Sequence, residues 1–243
     1  MTNKSVLILG ASSDIGWSVA EKLNENGYEV ILAGRDVARI DEKRKGSTLR
    51  STFVVQEFDA KKFDTHQSWF SSLPLVPDVV VCVFGYLGEQ SKAEREWSEA
   101  QNIIESNYTG AVSILNVVAA AYSKQKKGTI VGISSVGGDR GRQSNFIYGS
   151  AKAGFTAYLS GLRNKFFAQG IHVATIKPGF VNTKMTTGLN LPKLFTAQPQ
   201  QVAQAVLHAI EKKKNVTYVL PVWFLIMLII KNIPEAIFKR LKL

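Results

Sequence analysis

The chain has 243 residues, 45% hydrophobic and 20% charged, with 30 Lys and Arg against 19 Asp and Glu for a formal charge of +11. That length and composition exclude intrinsic disorder and suit one domain with a sizeable core. A single cysteine, Cys82, excludes an internal disulfide framework and a Cys-built zinc site, and His66, His172 and His208 have no partner at metal-ligand spacing, so no metal is expected.

Taken in order, the chain alternates apolar β-branched runs with longer helical stretches. The first run, 6–9, is too short for a signal h-region and reads as a buried strand, so a cytosolic protein is expected. Further strands are predicted at 29–33, 52–56, 79–83, 129–133, 173–176 and 216–220, and helices at 15–26, 37–45, 63–72, 96–123, 148–169 and 200–213. Several strands are apolar at nearly every position, the mark of parallel strands covered on both faces. Strand–helix alternation implies right-handed crossovers and an α/β fold: a Rossmann-type, doubly wound, mostly parallel seven-stranded sheet with helices on both faces. This domain is assigned to residues 1–220, and residues 221–243 form a C-terminal apolar and amphipathic tail.

Between the first strand and first helix runs Gly10-Ala11-Ser12-Ser13-Asp14-Ile15-Gly16. Small residues here let backbone approach a pyrophosphate seated on the free N–H groups and positive dipole of the helix N-terminus. A Gly-rich loop alone can be a plain turn; its place between strand one and helix one is what favours a dinucleotide site. The second strand ends in Ala33-Gly34-Arg35. An NAD-specific enzyme usually offers an acidic residue there to the ribose 2′-hydroxyl. The Arg35 guanidinium instead suits a 2′-phosphate, so NADP(H) is expected over NAD. Asp36 follows at once, either opposing that reading or capping the next helix.

Tyr148-Gly149-Ser150-Ala151-Lys152 places a phenol and an ammonium four residues apart, on one helix face. A nearby cation stabilises a phenolate and would let Tyr148 exchange a proton nearer neutral pH. Ser135 lies thirteen residues upstream of Tyr148, just after an apolar strand, where its hydroxyl can hold a carbonyl oxygen. Singly, such residues are usually a solvated helix face and a turn; together with the cofactor loop they read as a catalytic site.

On these motifs the chain is identified as a member of the short-chain dehydrogenase/reductase superfamily, over residues 4 to 220. The resemblance implies that Gly10, Ser12, Ser13, Asp14, Ile15 and Gly16 form the cofactor loop, with Asp59 and Ala60 at the adenine and Phe84 and Gly85 after strand four. It makes Asn107 the holder of a relay water and completes a tetrad with Ser135, Tyr148 and Lys152. Tyr148 and Lys152 also reach the cofactor, and Pro178, Gly179, Val181 and Thr183 fall in the segment that binds its carboxamide. Departures are Leu9 where the family commonly has Thr, Asp14 for the second loop glycine, and Val83-Phe84-Gly85 for the usual Asn-Ala-Gly. Asp14 would cap the first helix but brings a carboxylate near the pyrophosphate. The implied activity is NAD(P)H-dependent reduction of a carbonyl with Tyr148 as general acid; the complete tetrad argues against a silent nucleotide sensor.

Residues 184–195 would cover the substrate. Met185, Leu189, Leu191, Leu194 and Phe195 make that segment apolar, suited to a lipid-like substrate or to packing on its own domain. Beyond Leu220, the run 222–230 is apolar on every side yet short of the ~18–20 residues that span a bilayer. After the break at Asn232-Ile233-Pro234, a last helix would carry Ile233, Ile237, Phe238 and Leu241 on one side, with Lys239, Arg240 and Lys242 adding charge. This pattern suits a monotopic anchor on an anionic membrane, with Trp223 at the interface. The other reading is burial in a homodimer or homotetramer, formed through the helices at 96–123 and 148–169. Lys212, Lys213 and Lys214 add to the membrane side, and much of the +11 flanks this greasy run rather than forming a nucleic-acid stripe, so no nucleic-acid partner is expected. The tail is similar to that of reductases acting on polyprenyl-phosphate-linked keto-sugars, the decaprenylphosphoryl 2-keto-ribose reductase-like members. That likeness implies a lipid-linked keto-sugar, reduced by a cytoplasmic protein peripheral on the inner face of the membrane. The alternative is a soluble reductase of 3-oxoacyl thioesters or small ketones that uses the tail for oligomerisation.

Overall fold

Strands covered on both faces can use apolar residues at every position, and the runs 6–9 and 79–82 of this chain do. The computed structural model describes residues 4–47, 49, 54–188 and 190–241. In chain order the elements are β1 (Ser5–Leu9), α1 (Asp14–Glu25), β2 (Glu29–Gly34), α2 (Val37–Lys45), β3 (Val54–Glu57), α3 (His66–Ser71), β4 (Val79–Cys82), α4 (Gln90–Ala93), α5 (Trp97–Ile104), α6 (Gly110–Gln125), β5 (Thr129–Ile133) and α7 (Phe146–Phe166). They continue with β6 (His172–Pro178), β7 (Phe180–Val181), β8 (Thr196–Ala197), α8 (Pro199–Glu211), β9 (Val216–Val219), α9 (Val222–Asn232) and α10 (Glu235–Phe238).

Seven strands form one parallel sheet in the order β3-β2-β1-β4-β5-β6-β9. Successive residues feed opposite cores. Val6, Ile8, Val30 and Leu32 meet α1 and α8 on one face, while Leu7, Leu9, Ile31 and Ala33 belong with α6 and α7 on the other. The strand order reverses between β1 and β4, and a crevice opens there at the carboxyl ends of the strands, where such sheets hold ligands.

The Rossmann-type doubly wound sheet expected from the sequence is the fold observed. Helix 96–123 differs: it is broken into α5 and α6 by a π turn at Glu105–Thr109. Its apolar periodicity continues across the turn, so the sequence reads as one helix. The predicted helix at 63–72 begins as a 3₁₀ turn, Phe63–Thr65. The two-residue strands β7 and β8 pair with each other beside the main sheet and are too short to leave a period. Thr52, Leu189 and Lys242, named in the sequence reading, lie outside the described residues.

The last helix, expected to run amphipathically to the end, closes after one turn as α10. Phe238 turns inward there, its ring centroid 3.6 Å from the guanidinium carbon of Arg140. The same Arg140 donates to the carbonyls of Ile230 and Ile233, both at 2.6 Å, and to Glu235 Oε2 at 2.8 Å. Carbonyls at a helix C-terminus have no intrahelical partner and carry the negative end of the dipole, so a single guanidinium there closes α9 and pins it to the domain.

Candidate active site

The cofactor side of the crevice is made from the turn between β1 and α1. Gly10 takes φ +99°, a backbone conformation that L side chains rarely adopt. Ser13, not Asp14, caps α1: its Oγ accepts from Gly16 N at 3.0 Å and donates to Gly10 O at 2.8 Å. The N–H groups of Asp14 and Ile15 lie in the first turn, too early for intrahelical bonds, where an anion is favoured. They border a cavity of about 300 Å³ lined also by Gly10, Ser12, Ser13, Gly34, Arg35, Ala60, Phe84, Gly85 and Thr183. Its cationic side and its helix N-terminus suit the phosphates of a dinucleotide.

Three expectations change at this end, and the alternative left at Asp36 is decided. Asp14 brings no free carboxylate to the pyrophosphate. Its Oδ2 accepts from Lys184 N at 2.8 Å, and Lys43 Nζ lies 3.6 Å from Oδ1. Asp36 does not oppose Arg35 but caps α2, accepting from Arg39 N at 2.9 Å. Gly16 packs against the loop instead of lining the cavity, since the capping bond holds it behind Ser13. Asp59 faces an adjoining cleft that it shares with Arg35 and Ala60. Its Oδ1 is taken by Lys61 N at 3.0 Å, while Phe58 and Ala60 form the cavity wall. Phe84, in place of the usual small residue, stands 5.8 Å from the Phe58 ring and completes that wall.

The reactive end is a second cavity, about 190 Å³, reached past Ile15, Gly85 and Thr183, which line both. Ser135, Tyr148, Lys152 and Asn107 all line it, as do Pro178, Gly179 and Val181. Ser135 follows β5 and caps a 3₁₀ turn, accepting from Gly137 N at 3.0 Å, which fixes its Oγ. Tyr148 and Lys152 share one face of α7. The Lys152 ammonium donates to Ile133 O at 3.1 Å and lies 5.8 Å from the Tyr148 ring centroid.

Burial dominates both titrations. It pushes the Tyr148 phenol up to about 12, partly opposed by a hydrogen bond with Ser135. It brings the Lys152 ammonium down to about 8. The expected lowering of Tyr148 is therefore not present in the chain itself, because Lys152 is drawn to a carbonyl rather than to the phenol oxygen. Asn107, in the π turn, donates through Nδ2 to Tyr86 O at 2.6 Å and Ile103 O at 2.8 Å. Both amide protons are thus used, and the side chain clamps the loop after β4 instead of offering a donor to water. Turns of this π type are frequent at functional sites.

Residues 4–193 match the short chain dehydrogenase family. The chain belongs to the short-chain dehydrogenase/reductase family. It is 31% identical to an uncharacterized oxidoreductase of Mycobacterium tuberculosis, with 97% of this chain and 96% of that protein aligned. To an uncharacterized oxidoreductase of Streptomyces coelicolor it is 32% identical, over 98% and 96% of the two chains. Among solved structures, a short-chain dehydrogenase from Sphingobium yanoikuyae in complex with NADPH superposes with a TM-score of 0.82 at 21% identity, over 96% of this chain and 97% of that one.

In this short-chain dehydrogenase/reductase the tail completes the second cavity, the candidate substrate site. Trp223, expected at a membrane interface, is 5% exposed: its Nε1 donates to Phe195 O at 3.0 Å and its ring meets Phe180 edge-on at 5.4 Å. It lies flat against Gly179, where an added Cβ would fall 2.0 Å from a ring carbon. An aromatic buried this way finds a partner for its N–H, which ties it to one place. Met227, one turn on, is fully buried. The opposite face of α9 is not covered, with Leu225 59% and Ile229 67% exposed. No helix among the described residues is long and apolar enough to cross a membrane.

Sequence reasoning missed several residues of the site, among them Arg39, Arg142 and Trp223. Arg39 lines the cofactor cavity beside Arg35, from the first turn of α2; a second arginine just inside the helix start that follows Arg35 is the available signal. Arg142 and Trp223 line the substrate cavity from a loop and from the tail, and only the tertiary fold brings them there.

Proposed function

We propose that the protein is an NADPH-dependent carbonyl reductase that acts at the membrane face on a lipid-like carbonyl, such as a lipid-linked keto-sugar. The observation that carries this reading is the convergence of Ser135, Tyr148 and Lys152 on one cavity beside the dinucleotide cradle. Bound NADPH supplies a hydride to the carbonyl carbon. Ser135 holds the carbonyl oxygen, and Tyr148 donates its proton to that oxygen, so the C=O becomes a CH–OH. The Lys152 ammonium then offsets the charge left on the phenolate. Arg35 and Arg39, two guanidinium groups at the β2 end of the cradle, favour a cofactor carrying a 2′-phosphate.

The uncovered face of α9, with Phe224, Leu225, Leu228 and Ile229 exposed beside Lys231, supports docking on an anionic leaflet. A cytoplasmic protein peripheral on the inner face of the membrane is the corresponding location. Exposed Trp97 and Phe146, on α5 and α7, suit a homodimer or homotetramer. A second reading, a soluble reductase of 3-oxoacyl thioesters or small ketones, is favoured by the modest volume of the substrate cavity.

The test presents ketones free in solution and as carbonyl lipids in vesicles containing anionic phospholipid. NADPH oxidation by wild type is expected to be faster with vesicle-borne substrate, with the protein co-sedimenting, and to fall on the order of 10²- to 10⁴-fold in Tyr148→Phe. Undiminished activity in that variant ends the reductase mechanism. Preference for free ketones, with the protein left in the supernatant, selects the soluble reading.

A further inference from the structure

Two arginines leave the loop between β5 and α7, and their surroundings differ. Arg140 is saturated by the carbonyls and carboxylate at the end of α9. Arg142 lines the substrate cavity, and its surroundings are poor in acceptors. The hydrogen bond from Asn145 N to Arg142 O, 3.2 Å, closes a tight turn that leads into α7, so Arg142 stands less than two helical turns ahead of Tyr148 in the chain. Its Nη2 lies 3.1 Å from Met227 Sδ, a thioether and a weak acceptor. Among the described residues its Nε is buried with no partner, and so is Oδ1 of Asn145, which lines the same cavity.

No carboxylate of the cavity answers this charge. Among the residues lining it, Arg142 and Lys152 are cationic and none is acidic. Asp139 is the acid that acts on Arg142, pulling its pKa up against a larger lowering by burial. Asp139 is already engaged, receiving Lys177 Nζ at 2.5 Å and the Tyr218 hydroxyl at 2.6 Å. A partly desolvated guanidinium without a counter-charge is costly to keep. Holding the tail does not account for it, because Arg140 performs that task with full hydrogen bonding.

We infer that Arg142 is the specificity-determining residue for the substrate, and that the carbonyl compound reduced here carries an oxyanion, a phosphate ester or a carboxylate, which binds against this guanidinium. The fork of an arginine matches both groups with paired, charge-assisted hydrogen bonds. The inference rests on the reductase reading and deepens it by naming the charge on the substrate. A phosphate on a lipid carrier and a phosphate on a soluble sugar offer Arg142 the same chemistry.

The experiment compares charged and neutral ketone pairs with NADPH: dihydroxyacetone phosphate against dihydroxyacetone, acetoacetate against ethyl acetoacetate, and palmitoyl-dihydroxyacetone phosphate against palmitoyl-dihydroxyacetone in vesicles. Wild type is expected to favour the charged member of at least one pair in kcat/KM on the order of 10- to 100-fold, mainly through KM. Arg142→Met should erase that preference by losing far more kcat/KM on the charged ketone of a pair than on the neutral one, and Arg142→Lys should restore part of it. Whether the preference is larger for the soluble or the vesicle-borne phosphate identifies the source of the oxyanion. An equal loss on charged and neutral ketones in Arg142→Met, or no discrimination by wild type, overturns the inference. If no ketone is reduced, the reductase reading has failed, and the subsite is judged by binding alone. Glycerol 3-phosphate or 3-hydroxybutanoate should then raise the Tm of wild type and not that of Arg142→Met; an unmoved wild-type Tm overturns it.

Discussion

The two halves of the crevice are assembled by different means. The cofactor half rests mainly on short runs at the ends of β1, β2 and β3, shaped by their own backbone bonds, with helix caps at the first two. The substrate half gathers Ser135, Tyr148, Gly179 and Trp223 from separate elements and holds them by packing. A half built from local backbone geometry survives the loss of one side chain, whereas a half built from interlocked side chains does not. The tail belongs wholly to the second kind, since α9 touches the reactive end and Arg140 fastens it there.

The strongest way to break this contrast is Trp223→Ala. Removing a buried aromatic is expected to destabilise the fold by about 3–5 kcal/mol and to lower the Tm. Below the new Tm, substrate KM should rise while NADPH affinity, followed by fluorescence titration, stays as in wild type. A parallel loss of NADPH affinity would show that the two halves are not independent. Next in size is the pH response. Lys152 is brought down to about 8 by burial, so it carries its charge below that pH and loses it above. The phenol, pushed up to about 12, stays protonated throughout. Carbonyl reduction measured as kcat/KM should therefore be level on the acid side and fall about tenfold per unit as pH rises past 8. A profile still level at pH 9.5 would remove Lys152 from the proton step. The smallest effect belongs to the cofactor half. Arg35→Ala and Arg39→Ala should each reduce the NADPH-to-NADH ratio of kcat/KM by about tenfold, the worth of one charge-assisted hydrogen bond, with substrate KM unmoved.

The same division explains what could be read from the sequence. The parallel sheet, the cradle at Gly10–Gly16 and the set Ser135, Tyr148 and Lys152 are legible because periodicity and fixed spacing encode them within single elements. The role of Asp14 was not, because its partner Lys184 lies 170 positions away and answers through a backbone N–H that any residue supplies. Trp223 misled for a related reason. An apolar run of one helix looks the same whether both faces are wet by lipid or one is pressed on the domain, and only Phe180, Phe195 and Gly179 decide which. Asn107 was found by motif, but its use as a clamp follows from the π turn, which leaves no periodic trace.

The contact between Gly179 and Trp223 also sets a direction for sequence drift. At position 223 a smaller side chain leaves a cavity and costs packing, but it meets no clash. At position 179 even one added carbon would overlap the indole and expel it, uncovering the reactive end of the crevice. The tail thus restricts what position 179 can hold, since only a residue without a Cβ leaves the indole its place over the reactive end.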